Sequence, residues 1–173
     1  MMERKVLSSR QYFKFLSLLY GLMLITQVGI STVMFFLRTT QSSALQNENL
    51  LDEFFQYLVP SVAFIMPTLG WFFYKKSLQN IGKSESLSEK LSKYQSSLLL
   101  KYAFFEGPSI FASVAYFLTG NILLLGVCVL LILLFLTQNP TKNKLFNEIA
   151  LSPLEESQLN NPEAEVIETL VKD

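Results

Sequence analysis

Four stretches of the chain are apolar and nearly uncharged, and polar, charged segments separate them. Residues 15–37 and 54–74 contain no Asp, Glu, Lys or Arg. A third stretch, about 98–118, holds Lys101 near its start and Glu106 inside, and a fourth, about 121–138, is apolar from Ile122 to Leu136. About 20 apolar helical residues cross a hydrocarbon layer of roughly 30 Å, where an unpaired backbone N–H or C=O finds no partner. The runs are continuous rather than alternating, which argues against barrel strands. The pattern predicts an all-α fold, a polytopic bundle of four transmembrane helices in two antiparallel hairpins with a short cytoplasmic helical tail. The expected divisions are an N-terminal segment 1–14, a transmembrane domain 15–138 and an acidic tail 139–173.

The edges of the runs carry the expected punctuation. Trp71 and Tyr74 followed by Lys75 and Lys76 form an aromatic and basic belt. Thr119-Gly120-Asn121 reads as a tight turn, so the third and fourth spans form a hairpin, and Asn139-Pro140 ends the fourth. Of the 14 Lys and Arg residues, all but Arg38 fall on one alternating side, in the N-terminal segment, between the end of span two and the first turn of span three, or in the tail. Basic loops stay in the cytoplasm, so both termini are expected there in a multi-pass protein of the cytoplasmic membrane. The first apolar run, about 23 residues, is long for a signal peptide and is read as an uncleaved span.

Three polar segments carry weaker signals. Leu87, Leu91, Tyr94 and Leu98 recur at helical spacing behind a Ser86/Glu89 capping box, predicting a solvated helix that continues into span three. In the tail, Ser152-Pro153 and Asn161-Pro162 are helix starts with proline at the first helical position. They predict short helices at 142–150, 153–159 and 162–171 in a partly ordered, solvated tail. Glu48, Asp52 and Glu53 read as an acidic start to the second helix.

Composition removes several function classes. The chain is 50% hydrophobic and 16% charged with zero net charge, against about 25% charged in a soluble domain, so no basic field favours nucleic acid. There is no histidine and one cysteine, Cys128, which reads as a small hydrophobe. No serine has a visible base at useful spacing, and neither a metal site nor a cofactor motif is expected.

The candidate site therefore rests on intramembrane polar groups, which face one another rather than lipid. Tyr102, Glu106, Ser109, Ser113 and Tyr116 fall on one face of span three, Ser17, Tyr20, Gln27 and Ser31 on one stripe of span one, and Tyr57, Ser61, Phe64 and Thr68 on one stripe of span two. The expectation is that these three stripes meet, with span four a lipid-facing flank. Ser17/Gly21 and Ala103/Gly107 are small-residue pairs that permit close helix approach. Glu106 is the only acid inside a span, roughly 10–12 Å from the cytoplasmic edge, where a charge costs at least about 2.5–3.5 kcal/mol. Gly107 and Pro108 follow it and predict a kink. The candidate polar or ion site is thus Glu106 with Gln27, Ser61, Thr68, Tyr102 and Ser109.

The stretch Ala-Phe-Phe-Glu-Gly-Pro-Ser-Ile-Phe-Ala-Ser-Val-Ala, residues 103–115, resembles the proton-binding helix of rotary ATP synthase c-subunits. That resemblance implies a proton carrier at Glu106. It departs from the pattern in lacking a glycine-rich partner helix and in placing the acid in the third of four spans. The chain as a whole resembles the small four-helix membrane proteins of bacteria. The reading that follows is a non-enzymatic structural or accessory protein of the membrane, with the lipid bilayer, a second copy or another membrane protein as partner. The alternative is a small transporter or proton conductor centred on Glu106.

Overall fold

The computed structural model describes residues 3–40 and 49–171. Glu48 of the acidic helix start lies outside the described residues, as do Lys172 and Asp173. The order of elements is β1 (Glu3–Ser8), α1 (Ser9–Thr40), α2 (Asn49–Gln79), α3 (Leu87–Thr119), α4 (Ile122–Leu136), α5 (Lys142–Glu148), α6 (Pro153–Asn160) and β2 (Glu165–Val171). Helices Ser9–Thr40, Asp52–Gln79 and Leu87–Thr119 are long and apolar enough to cross a membrane. α4 is more apolar than any of them but has 15 residues, about 22 Å of helix at 1.5 Å per residue, and so is shorter than the predicted 121–138 span.

The chain forms two compact units. The first comprises Met1–Tyr20, Phe73–Leu99 and Pro140–Asp173, and the second Gly21–Phe72 and Leu100–Asn139.

In the first unit, β1 and β2 pair antiparallel, with Leu7 opposite Ile167 and an irregularity between Leu7 and Ser8. The predicted third tail helix is therefore a strand. Val166, Ile167, Thr169 and Val171 are β-branched and fit a pleated surface better than a helix. The backbone continues this seam, because the amides of Ser9 and Arg10 donate to the carbonyls of Ala164 and Pro162 at 2.9 and 3.0 Å. α6 begins at the predicted Ser152-Pro153 helix start, which the structure completes as a Ser152/Glu155 capping box. The tail is not loosely solvated. Leu145, Ile149, Leu159, Val166 and Ile167 are buried with Tyr12, Tyr74, Leu91, Tyr94 and Leu98. The first turns of α3 are likewise packed rather than solvated, and that burial uses the Leu87/Leu91/Tyr94/Leu98 spacing seen in the sequence.

In the second unit α3 is the most enclosed helix. Half of its apolar window is buried, against 11% for α1 and 22% for α2. Val59, Ala112, Ala115, Tyr116, Leu124 and Cys128 form its core cluster. Phe55 meets Phe111 edge-on, Phe35 stacks on Tyr116, and Tyr102 and Phe105 pack on Phe135. α4 is not a mere flank, because Leu124, Cys128, Leu131 and Phe135 recur on one buried face while Leu123, Leu130 and Leu134 are exposed.

The turn between α3 and α4 is built as the sequence predicts. Gly120 takes φ 72°, a left-handed conformation that costs glycine little, and its amide closes on the Tyr116 carbonyl at 2.7 Å. Asn121 caps α4 through its side chain and also donates to Asp52 at 2.8 Å. Arg38 donates to the carbonyls of Phe117 and Thr119. This one cation on the weakly basic side of the charge pattern thus neutralises the negative end of a helix.

Candidate functional site

The candidate residues do not converge on Glu106. Gln27 and Ser109 do meet. Both are fully buried, and the Ser109 hydroxyl lies 3.1 Å from Gln27 Oε1. One turn further along each helix, Ser31 and Ser113 meet at 2.8 Å, and the thiol of Cys128 lies 3.1 and 3.0 Å from their hydroxyls. A polar ladder therefore joins α1, α3 and α4. Ser31 and Ser113 also donate to the carbonyls of Gln27 and Ser109, four residues back. Such bonds satisfy a hydroxyl within its own helix and leave its lone pairs for a neighbour.

Glu106 sits beside this ladder rather than in it. Its backbone carbonyl accepts from the Ser109 hydroxyl at 3.1 Å. Its side chain is half-buried, and among the described residues no side chain donates to its carboxyl group. Gln27 Nε2 is buried and also has no hydrogen-bond partner.

The remaining candidates lie elsewhere. Ser61 and Thr68 are exposed on α2 and donate to their own helix at Tyr57 and Phe64, 2.8 and 2.7 Å away. The α2 stripe therefore points away from the ladder, which corrects the expected three-way meeting of stripes. Tyr102 is buried, but its hydroxyl donates to the carbonyl of Gln138 at 3.0 Å and so ties α3 to the segment after α4. Gly107 and Pro108 lie within α3, which continues through both as helix. The small-residue pairs are not packing sites either, since a Cβ added at Gly21 or Gly107 would meet nothing within 4 Å. The close approach is at Gly70, where an added Cβ would lie 2.4 Å from the Cβ of Phe104.

Sequence reading missed two polar clusters in the first unit. Lys90, 2% exposed, donates to both oxygens of Glu155 at 2.8 and 2.9 Å and to the Ala150 carbonyl at 3.3 Å. Burial works against the charge on Glu155, yet the Lys90 ammonium and the Ser152 amide and hydroxyl outweigh it and hold the carboxyl below its ordinary value. In the second cluster Glu148 accepts from the hydroxyls of Tyr74 and Tyr94. The only hint in sequence was a lysine at an apolar-periodic position, Lys90 beside Leu87, Leu91 and Tyr94.

No family model matches the sequence, and neither the curated proteins nor the solved structures give a match. What the chain itself defines is a class, a mainly helical protein with three helices long and apolar enough to span a membrane.

Proposed function

We propose that the protein is a non-enzymatic, multi-pass protein of the cytoplasmic membrane with a structural or accessory role. Its topology is four spans in two antiparallel hairpins, with both described ends of the chain in the cytoplasm. The composition of the first unit supports that topology. Its three segments, far apart in sequence, are the ones that the positive charges assign to the cytoplasm. Lys90 near the start of α3 pairs with Glu155 beyond α4, so the chain between them leaves the first unit and returns to it. α4 then serves as the return span despite its length. Contacts Ser113–Cys128, Phe105–Phe135 and Tyr102–Gln138 run in opposite directions along α3 and its partner, as a hairpin requires.

The observation that carries the structural role is the ladder. Gln27 Oε1, the hydroxyls of Ser31, Ser109 and Ser113 and the thiol of Cys128 lie within hydrogen-bond distance of one another across helices, so they act as adhesive between them. One observation favours the transport reading: among the described residues the Glu106 carboxyl group and Gln27 Nε2 both lack partners, and Ser109 bonds to the residues that carry them. Two measurements separate the readings. Tags inserted at residue 45 and at the C-terminus report opposite faces of the membrane under the four-span topology, and a shared face refutes it. In liposomes, proton and cation flux stays at background for both the wild type and Glu106→Gln. A flux that the substitution abolishes replaces the structural role with transport.

A further inference from the structure

The first unit has a cleft of about 490 Å³ beside the start of α1. Arg10, Phe13, Lys14 and Ser17 line it from α1, with Lys142 at the start of α5 and Pro162 completing the wall. Arg10, Lys14 and Ser17 follow one another at steps of four and three, so one helix face supplies them. The cleft gathers three cations and, among the described residues, no carboxylate lines it. Among the described residues none of the three forms an ion pair. Lys142 is held in position, with its ammonium 5.7 Å from the Phe13 ring centroid and 6.0 Å from that of Phe146. Ser9, the other polar side chain in the wall, already donates to the Leu159 carbonyl.

Three like charges around one concavity repel each other unless an anion joins them. The chemistry of the neighbouring residues says what kind of anion. Leu18, one helical turn beyond Lys14 on the same side of α1, is 59% exposed. A ligand with a negative head and an apolar body matches both surfaces. We propose that this cleft binds the phosphate headgroup of an anionic phospholipid, with Arg10, Lys14 and Lys142 on the phosphate oxygens and the acyl chains leaving past Leu18. Arg10 offers a planar fork that suits two phosphate oxygens, while the lysines act as point charges. A zwitterionic choline headgroup would bring its own cation toward the three already present. The site rests on the membrane reading above, since a lipid ligand needs a bilayer around the first span.

The test uses full-length protein in a neutral detergent, titrated with dioleoyl phosphatidylglycerol, dioleoyl phosphatidylcholine or inorganic phosphate, with bound molecules counted by native mass spectrometry. The wild type retains phosphatidylglycerol at least about tenfold better than phosphatidylcholine. Each of Arg10→Gln, Lys14→Gln and Lys142→Gln weakens it about fivefold, and the three together about a hundredfold, at roughly one surface charge each. Lys75→Gln with Lys76→Gln, basic positions outside the cleft, leaves it unchanged. If the triple variant does not fold, the single variants and the loss of wild-type binding with rising salt carry the same test. Equal retention of the two lipids, or a cleft variant no weaker than the Lys75/Lys76 variant, overturns the proposal. Inorganic phosphate binding as tightly as phosphatidylglycerol assigns the cleft to a soluble anion and overturns the lipid. Alkaline carbonate extraction is run in parallel. Release of the chain from membranes defeats the membrane reading itself, whereas a retained chain without lipid preference defeats only this site.

Discussion

The first unit buries an ammonium against a carboxylate, whereas the hydrogen bonds at the centre of the second unit join neutral groups. In the first, Lys90 is 2% exposed and has three acceptors, and Glu148 gathers two tyrosine hydroxyls. In the second, an amide, three serines and a thiol meet. The difference follows from the unfolded alternative. A chain segment that unfolds into water regains full hydration for its charges, so a buried pair holds only if every donor is matched. A helix that separates within lipid keeps its backbone bonds, and its serines can return to their own carbonyls. Specific pairing is therefore costly to break in the first unit and cheap to break in the second.

The largest effect should come from removing one partner of the buried pair. Lys90→Met leaves Glu155 without its main counter-charge and should destabilise the first unit by about 3–5 kcal/mol. Limited trypsinolysis at Lys142 and Lys144 should then accelerate steeply, because cleavage tracks the population of the opened tail. A change below about 1 kcal/mol would make the pair incidental. The same pair sets a pH dependence. The folded carboxyl of Glu155 lies below the ordinary value of 4.5, so its contribution is complete above that pH and is lost as the pH falls through the folded value. Pepsin cleavage of the tail should rise on acidification below about pH 4.5 and rise less in Glu155→Gln. The variant keeps some slope, because Lys93 also holds the carboxyl of Glu85 below its ordinary value.

A middle-sized effect tests whether steric fit, rather than polar pairing, fixes the second unit. A methyl group at Gly70 would collide with the Cβ of Phe104, so Gly70→Ala should cost about 1–3 kcal/mol in detergent unfolding. Gly21→Ala meets nothing and should be neutral or stabilising by up to about 1 kcal/mol through helix propensity. Equal effects at the two glycines would show that the α2–α3 approach at Gly70 is dispensable.

The glycines also show what was legible in the sequence. Three long apolar helices, the Gly120 turn and the Ser152-Pro153 helix start depend on neighbours along the chain, and each appears where the pattern puts it. Close approach at Gly70 depends on which face of α2 meets α3, and small-residue spacing alone pointed instead to Gly21 and Gly107. The β1–β2 pair was hidden for a related reason. Its partners lie at opposite ends of the chain, and Asn161-Pro162 gave a local helix signal that pairing overrode. At the candidate site, the burial of Gln27 and Ser109 was legible from their stripes. The exclusion of Ser61 and Thr68 was not, because a hydroxyl bonded within its own helix can face either way. Cys128 was read as a hydrophobe, since nothing local in sequence says that two serines will surround it.

The smallest effect is the most informative about the ladder. Ser109→Ala removes the donor to Gln27 Oε1, and Gln27→Leu removes that acceptor together with an amide nitrogen that has no partner. The two substitutions differ in kind. Ser109→Ala leaves the glutamine amide with both ends unmatched, whereas Gln27→Leu takes an orphaned donor out of an apolar site and returns Ser109 to the Glu106 carbonyl it already touches. Ser109→Ala should therefore cost more than Gln27→Leu, and Gln27→Leu should be near neutral. A double-mutant cycle on unfolding in detergent should give a coupling of about 0.6 kcal/mol, the scale of hydrogen bonds between membrane helices. A coupling above about 2 kcal/mol would mean that the Gln27–Ser109 bond is held in a tighter and drier setting than neutral adhesion needs. The second unit would then resemble the first in relying on matched polar pairs, and the contrast between the two would fall.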